Sequence, residues 1–360
     1  MFFELKNGRL QAEISTYGAK LTRLIVPNDQ GEVKDVVLGF ASDDVWRTKE
    51  TYFNAIIGHC ANRIKNGRFV LDGKSYQLPV NNGTNSLHGG VHGFNEKEWE
   101  VVDPMTKCPN EQINDQINDQ IVNDQMVNQL TLHDRSADGE EGYPGNLDIW
   151  VTYCLTDDNA LSISYEARTD APTIVNFTNH AYFNLNGEDS PSVRNHVLQV
   201  LADTYTPFDE TACPTGEVLP VEGTPMDFRQ PALIGDRIDL PFFAPGRGID
   251  NNWLLDPMTK CPNEQINDQM VNDQMVNKLA AVLQADGRTM QVLTTCPALQ
   301  VYTGNYVEQN IGKSGSLYRP QNAVCLETQN VPDAINHPNF PSPVLRPGEV
   351  FRQQTIYRFV

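Results

Sequence analysis

Positive charge is scarce in this sequence of 360 residues, which contains 27 lysines and arginines against 46 aspartates and glutamates. The resulting net charge of −19 disfavours nucleic acid and anionic membrane surfaces as partners. The negative net charge also disfavours the binding of phosphorylated substrates. A neutral small molecule is therefore the ligand that fits the charge of the chain best.

Long apolar stretches and paired cysteines are also missing. No apolar run approaches the roughly 20 residues that a membrane-spanning helix needs. Residues 1–7 lack the basic region followed by an apolar stretch that is typical of a signal peptide. The seven cysteines are scattered and form no CxxC pair, which favours reduced thiols. These absences predict a cytoplasmic protein that does not bind a membrane.

Alternation of apolar and polar residues dominates the chain, and convincing amphipathic helices are scarce. Residues 147–155 and 161–167 both alternate, and the turn-forming segment 157–159 between them predicts a hairpin. Residues 68–78 predict a second hairpin, with Asp72-Gly73 at its turn. Because 23 prolines and 25 glycines divide the chain into short segments, we predict an all-β fold. Within this class we predict a large antiparallel β-sandwich with few short helices.

One segment, DPMTKCPNEQINDQ, occurs twice without change, at residues 103–116 and 256–269. Each copy continues into polar, low-complexity sequence that cannot bury enough apolar surface to offset its ordering entropy. We interpret both as insertions, at residues 103–130 and 256–279, that form long hairpin loops on one domain spanning residues 1–360. The alternative, a pair of adhesive or regulatory arms, rests on the helical spacing of Ile113, Ile117 and Ile121.

Two histidines and one glutamate are the strongest candidates for catalysis. His88 lies in SLHGG, His180 lies among asparagines and is followed by Tyr182 and Phe183, and Glu327 follows an apolar, strand-like segment. A histidine and a glutamate can share proton transfer near neutral pH, and partial burial of the carboxylate would make it a stronger base. Amides beside aromatic rings suit a sugar. A structural histidine and a salt-bridged surface glutamate are the alternative interpretations.

The spacing of His88 and His92, in HGGVH, is also found in helical metal sites. Two glycines between the histidines disfavour a helix, and no cysteine or second carboxylate lies nearby. We therefore predict neither a metal nor another cofactor.

Six segments resemble motifs of the aldose 1-epimerase, or galactose mutarotase, family, and they occur in the family's order. They are residues 62–64 with 67–69, 85–90 with 93–94, 178–185, 249–251, 299–303, and 326–329 with 332–334. The resemblance extends along the whole chain and is interrupted only by the two repeats.

The resemblance implies a β-sandwich of the galactose mutarotase type with an open cleft on one sheet. It also implies an enzyme that interconverts the α and β anomers of free aldohexoses such as galactose and glucose. Glu327 would be the general base for the C1 hydroxyl, His180 the general acid for the ring oxygen, and His88 a hydrogen-bonding group near that oxygen. The residues implied to bind the sugar hydroxyls are Asn62, Arg63, Tyr182, Asp250 and Gln300.

Three other functions remain open. An enzyme for hexose 6-phosphates would need several lysines or arginines in the cleft, and the motifs supply little beyond Arg63. A glycoside hydrolase could use Asp250 and Glu327 as its paired carboxylates, but this leaves the two histidines unexplained. A non-catalytic sugar-binding protein would be expected to have lost Glu327 or His180, and both are present. The sequence does not distinguish a monomer from a homodimer.

Overall fold

The computed structural model of the chain describes residues 1–48, 52–103, 127–255 and 276–360. In chain order, the first strands of these residues are β1 (Phe2–Lys6), β2 (Gln11–Ser15), β3 (Lys20–Pro27), β4 (Val33–Asp35), β5 (Ile56–Ile57), β6 (Arg63–Ile64), β7 (Arg68–Leu71), β8 (Lys74–Gln77), β9 (Ser86–Leu87), β10 (Glu100–Asp103), β11 (Gln129–Ser136), β12 (Leu147–Thr156) and β13 (Ala160–Thr169). The strands that follow are β14 (Thr173–Ile174), β15 (Thr178–Asn179), β16 (Val197–Val200), β17 (Thr204–Thr206), β18 (Leu219–Pro220), β19 (Ala232–Leu233), β20 (Asp250–Leu254), β21 (Lys278–Ala285), β22 (Arg288–Thr294), β23 (Ala298–Tyr302), β24 (Cys325–Gln329), β25 (Val344–Leu345) and β26 (Phe351–Phe359).

Helices are few and short, as the sequence predicted. The α-helices of the described residues are α1 (Asp43–Thr48) and α2 (Ile234–Arg237), and the 3₁₀ turns are Lys65–Gly67, Phe94–Glu96, Glu140–Gly142, Pro241–Gly246 and Ala334–Asn336. None of the helices in the described part of the chain is long and apolar enough to cross a membrane.

The largest sheet has nine antiparallel strands in the order β10-β11-β12-β13-β26-β22-β21-β16-β19. Its centre contains the first predicted hairpin, in which β12 and β13 pair from Leu147 opposite Thr169 to Thr156 opposite Ala160. Ile149, Val151 and Tyr153 point into the core, because successive side chains of a strand point to opposite faces of the sheet. The predicted hairpin is confirmed.

Two smaller sheets complete a sandwich. One has the order β1-β2-β3-β4 and the other the order β18-β17-β20-β23-β24. Leu21 of β3, Ile163 of β13 and Leu299 of β23 belong to a single buried cluster, so both small sheets share a core with the large one. The predicted all-β antiparallel sandwich is confirmed, and apolar burial of this kind is its main source of stability.

The second predicted hairpin is also confirmed and shows how local sequence sets a turn. β7 pairs with β8 from Arg68 opposite Gln77 to Leu71 opposite Lys74. Asp72 and Gly73 form the turn with φ angles of 49° and 79°. Positive φ at both central positions is the requirement of the tight hairpin turn that an Asp-Gly pair favours.

The two repeats differ in their structural setting. Most of residues 103–130 and 256–279 lie outside the described residues, but the strands beside them are described. β10 and β11, beside the first repeat, pair as neighbours at the edge of the large sheet. β20 and β21, beside the second repeat, belong to different sheets. β20 and β21 therefore do not pair, and the interpretation of the second repeat as a hairpin loop stays a prediction, because residues 256–275 lie outside the described residues.

The cysteines only partly follow the prediction of reduced thiols. Cys60, Cys213, Cys296 and Cys325 are buried and form no disulfide. Cys154, on β12, is disulfide-bonded, so the prediction is wrong for this residue.

Candidate active site

The five-stranded sheet presents a row of polar side chains on the face that points away from the core. Gln300 of β23 lies directly opposite Glu327 of β24 in the strand register. Their neighbours Leu299 and Leu326 point into the core cluster, so alternation places Gln300 and Glu327 on the other face. Asp250 of β20 lies on this face too, because the Gln300 amide nitrogen donates a 2.7 Å hydrogen bond to Asp250 Oδ1.

Short strand pairs carry the remaining candidate residues to the same face. β15 pairs with β5, and the His180 N–H, directly after β15, donates to the Ala55 carbonyl at 2.9 Å. β6 pairs with β9, which places Arg63 opposite Leu87, next to His88. The tertiary fold therefore brings together segments that are widely separated in the sequence.

His88, His180 and Glu327 form a buried cluster. The distance between His180 Nε2 and Glu327 Oε1 is 3.6 Å. One ring nitrogen of each histidine and one carboxylate oxygen all lie within 4.8 Å of one another. The exposed fractions of the three residues are only 7%, 5% and 1%, so charges in this cluster are poorly solvated by water.

Aromatic rings surround His180 and set its protonation. Its ring is nearly parallel to those of Tyr182, at a centroid distance of 5.0 Å, and Tyr52, at 6.5 Å. His88 and Tyr302 present their rings at steep angles, at 5.2 Å and 6.0 Å. This burial lowers the pKa of His180 to about 4, so the imidazole is neutral at pH 7.

The carboxyl group of Glu327 has the opposite shift. Burial, and then the nearby Asp250 carboxylate, raise the pKa of Glu327 well above its usual value, while Arg63 opposes this effect. Its Oε2 atom has no hydrogen-bond partner among the described residues. A buried base with raised pKa beside a buried imidazole can exchange a proton with a bound ligand near neutral pH.

Further polar atoms in this region point to a ligand with several hydroxyl groups. Gln300 Oε1 and His180 Nδ1 are buried and, in the described part of the chain, have no hydrogen-bond partner. Burial raises the pKa of Asp250, and the Arg63 guanidinium acts against this rise. Buried acceptors without partners are costly, and the hydroxyl groups of a bound sugar would satisfy them.

Two histidines and a carboxylate are also donor types for a divalent metal ion. The Asn62 N–H, however, donates a 3.2 Å hydrogen bond to His88 Nδ1, which takes up the lone pair of that nitrogen. The HGGVH pair forms no site either, since the side chain of His92 is 75% exposed and contacts Glu96 at 3.1 Å. The donor set therefore suits proton transfer better than metal binding.

The structure brings most of the sequence-predicted residues together. Arg63, His88, His180, Asp250, Gln300 and Glu327 lie in one neighbourhood, linked by the contacts described above. Tyr182 packs with its ring between His180 and Phe53. Asn62 Oδ1 accepts a 2.9 Å hydrogen bond from the Arg63 N–H, so part of its side chain is engaged within the protein.

Two aromatic residues of the site were missed by the sequence reasoning. Tyr52 lies 4.8 Å from His88 and 6.5 Å from His180 between ring centroids. Tyr302 follows Gln300 by two positions on β23, so strand alternation places both side chains on one face. That periodicity was a usable signal for Tyr302, whereas nothing local to Tyr52 indicated its proximity to the histidines.

An antiparallel β-sandwich with a buried acid–base pair among amides and aromatic rings defines an enzyme class that acts on small polar ligands. Comparison with known proteins supports an enzyme of this class. The family model for aldose 1-epimerase matches residues 1–358. Human galactose mutarotase is 41% identical over 359 residues, which cover 99% of this chain and 93% of the relative. Escherichia coli aldose 1-epimerase is 36% identical over 362 residues, which cover 98% of this chain and 93% of the relative.

Solved structures are similar as well. An aldose epimerase homologue from C. elegans has a TM-score of 0.81 and 28% identity, and the match covers 100% of this chain and 98% of the other. Galactose 1-epimerase from Lactobacillus acidophilus has a TM-score of 0.77 and 25% identity, and the match covers 100% of this chain and 94% of the other. The chain therefore belongs to the aldose 1-epimerase family. The predicted family, the predicted isomerase-type enzyme and its predicted action on aldose anomers are confirmed.

Proposed function

We propose that the protein interconverts the α and β anomers of free galactose and glucose, with Glu327 as general base and His180 as general acid. The observation that carries this proposal is the 3.6 Å distance between His180 Nε2 and Glu327 Oε1 in a buried cluster. The pair can hold one proton and lies beside polar atoms that a sugar would satisfy.

The proposed reaction begins with the proton of the C1 hydroxyl, which passes to Glu327. The electrons of that O–H bond form the C1 carbonyl, the bond between C1 and the ring oxygen breaks, and the ring oxygen takes a proton from His180. Rotation about the C1–C2 bond then presents the other face of the aldehyde. Reclosure reverses both proton transfers, so that Glu327 protonates O1 and His180 recovers its proton.

One proton on the pair can be placed in two ways. Burial favours the neutral form, with a carboxylic acid and a neutral imidazole, because it raises the pKa of Glu327 and lowers that of His180. The reactive form has a carboxylate and an imidazolium. Hydroxyl groups of a bound sugar would solvate these charges, so substrate binding itself favours the reactive form.

The other polar groups of the site would hold the sugar in place. We propose that Asp250, Gln300 and Arg63 bind hydroxyl groups, that Asn62 offers its side-chain amide, and that Tyr182 forms the wall behind His180. His88 would donate a hydrogen bond near the ring oxygen. Mutarotation already proceeds in water, so general acid and base contributions of about 10²–10⁴ each, with orientation, suffice without a metal or cofactor.

The test is the optical rotation of freshly dissolved α-D-galactose and α-D-glucose at pH 7 and low buffer concentration. We expect faster decay to the same equilibrium rotation with the protein present. Glu327→Gln should lose most of this activity, by about 10²–10⁴, while it still binds sugar. Glu166→Gln, on the nine-stranded sheet, is the control and should keep full activity. Near-normal turnover of Glu327→Gln would remove Glu327 as the base.

A sugar-phosphate panel distinguishes the competing substrate class. If the mutarotation of neither free sugar is accelerated and that of a hexose 6-phosphate is, the free-aldose proposal fails.

We further propose that residues 1–360 form one domain with two insertions, at 103–130 and 256–279. We propose that the protein works in the cytoplasm as a monomer or homodimer. The nine-stranded sheet and the two smaller sheets share a single core cluster, which supports the one-domain proposal.

A further inference from the structure

Asn62 and His88 are joined by two reciprocal hydrogen bonds. The His88 N–H donates to the Asn62 carbonyl at 2.9 Å. The Asn62 N–H donates in return to His88 Nδ1 at 3.2 Å. Both residues have left-handed backbone conformations, with φ angles of 60° and 53°. A backbone N–H can only donate, so the Nδ1 atom must present a lone pair.

We propose that the Asn62 peptide holds His88 as a neutral imidazole with its proton on Nε2, which makes His88 a permanent hydrogen-bond donor and not a second acid. A second proton on Nδ1 would point directly at the Asn62 N–H. Loss of the Nε2 proton would leave an imidazolate. The role of His88 as a hydrogen-bond donor in the reaction rests on the proposed function, whereas its protonation state rests on the geometry alone.

The surroundings of His88 act in the same direction. Tyr52 covers the ring at 4.8 Å, and His180 approaches edge-on at 5.2 Å. Burial, then His180 and Arg63, lower the pKa of His88 well below its usual value. Glu327 is the nearby group that would favour a charged His88, but protonation would still break the bond from Asn62. The mobile proton is thus confined to His180 and Glu327.

Asn62 is therefore a positioning residue through its backbone, in addition to any contact of its side chain with sugar. A left-handed φ is tolerated by asparagine and glycine but costly for β-branched residues. Asn62→Gly keeps the N–H in place and removes the side chain. Asn62→Val displaces the N–H by disfavouring this backbone conformation, and Asn62→Ala is a milder variant should Asn62→Val not fold.

The direct test is long-range proton–nitrogen NMR of the ¹⁵N-labelled protein at pH 5 to 8, with the His88 signals assigned from His88→Gln. We expect the pattern of a neutral ring protonated on Nε2 across this range, in the native protein and in Asn62→Gly. Asn62→Val should show a mixture of protonation states or a titration. The control is Asn159→Val, which makes the same change at a φ of 58° in the turn between β12 and β13.

Kinetic measurements separate the effect of the Asn62 backbone from the effect of its side chain. Asn62→Gly should raise KM and change kcat by less than about three-fold, and Asn62→Val should lower kcat by about ten-fold or more. Asn159→Val should leave both unchanged. A native His88 that is protonated on Nδ1 or charged at pH 7 would overturn the proposal, as would equal NMR changes in Asn62→Gly and Asn62→Val. Because the NMR measurement needs no turnover, its result is independent of whether free aldoses are the substrates.

Discussion

Glu327 illustrates how a single residue depends on partners that lie far from it in the chain. Its position on β24 opposite Gln300 is set by strand register, and a slip of one residue would turn it into the core. Its pKa depends on burial and on Asp250, which comes from a third strand. The sequence identified the candidate residues, but their mutual electrostatic effects follow only from the fold.

Asp250 provides a prediction at this scale. We expect Asp250→Ala to raise KM by about 10- to 100-fold, because loss of a charged hydrogen bond is worth about 1.5–3 kcal/mol. The effect on kcat should be smaller. Removal of its negative charge should also lower the pKa of Glu327, so the base-dependent limb of the pH–rate profile should move to lower pH. Asp250→Asn is the matched variant that keeps the shape of the side chain. A defect in kcat alone would contradict a binding role.

At the scale of elements, local sequence predicted the hairpins correctly, because alternation and an Asp-Gly turn act over neighbouring residues. The β12–β13 hairpin and the β7–β8 hairpin both follow this logic. The strands beside the second repeat do not pair with each other, since β20 pairs with β17 and β23 while β21 pairs with β16 and β22. The two insertions, which share 14 identical residues, therefore lie between strands that are arranged differently.

This difference predicts unequal tolerance to shortening. Replacement of residues 104–126 by a short turn should leave folding and turnover intact, because β10 and β11 are already paired neighbours. Val127 and Asn128 should be kept, since their carbonyls accept hydrogen bonds from Lys6 and Leu155. The same replacement of residues 256–275 should impair folding, because β20 and β21 lie in different sheets. Melting temperature and mutarotation of both variants provide the measurement, and equal tolerance would contradict the expectation.

At the scale of the whole molecule, buried histidines link stability to pH. Burial lowers the pKa of His59 and His196 to about 3 and that of His180 to about 4, and it depresses that of His88. The unfolded chain takes up these protons at about pH 6.5, whereas the folded chain does not. These four groups therefore remove stability progressively as pH falls below about 6.5, down to about 4 for His180 and about 3 for His59 and His196. Glu327 and Asp250, whose pKa values are raised, contribute with the opposite sign and offset part of this loss.

We therefore predict that the free energy of unfolding decreases between pH 7 and pH 5, by about 2 kcal/mol at pH 5 for each of His59, His180 and His196 before the offset. Urea unfolding at several pH values measures this dependence. His196 is a suitable probe because its Nε2 accepts a 2.9 Å hydrogen bond from the Leu185 N–H. His196→Gln should show a weaker pH dependence than the native protein, whatever its stability at pH 7. A free energy of unfolding that does not change from pH 7 to pH 5 would refute the prediction.

The sequence by itself determined the strands, the turns and the segments that carry the chemistry, because alternation, turn residues and motifs are local properties of the chain. It did not determine how β20, β23 and β24 pair, which places Asp250, Gln300 and Glu327 on one face. Only the tertiary structure decided this, together with the enclosure of His180 by aromatic rings and the bond from the Asn62 peptide to His88. Contacts between distant segments depend on burial and strand register across the whole core, which no local pattern specifies.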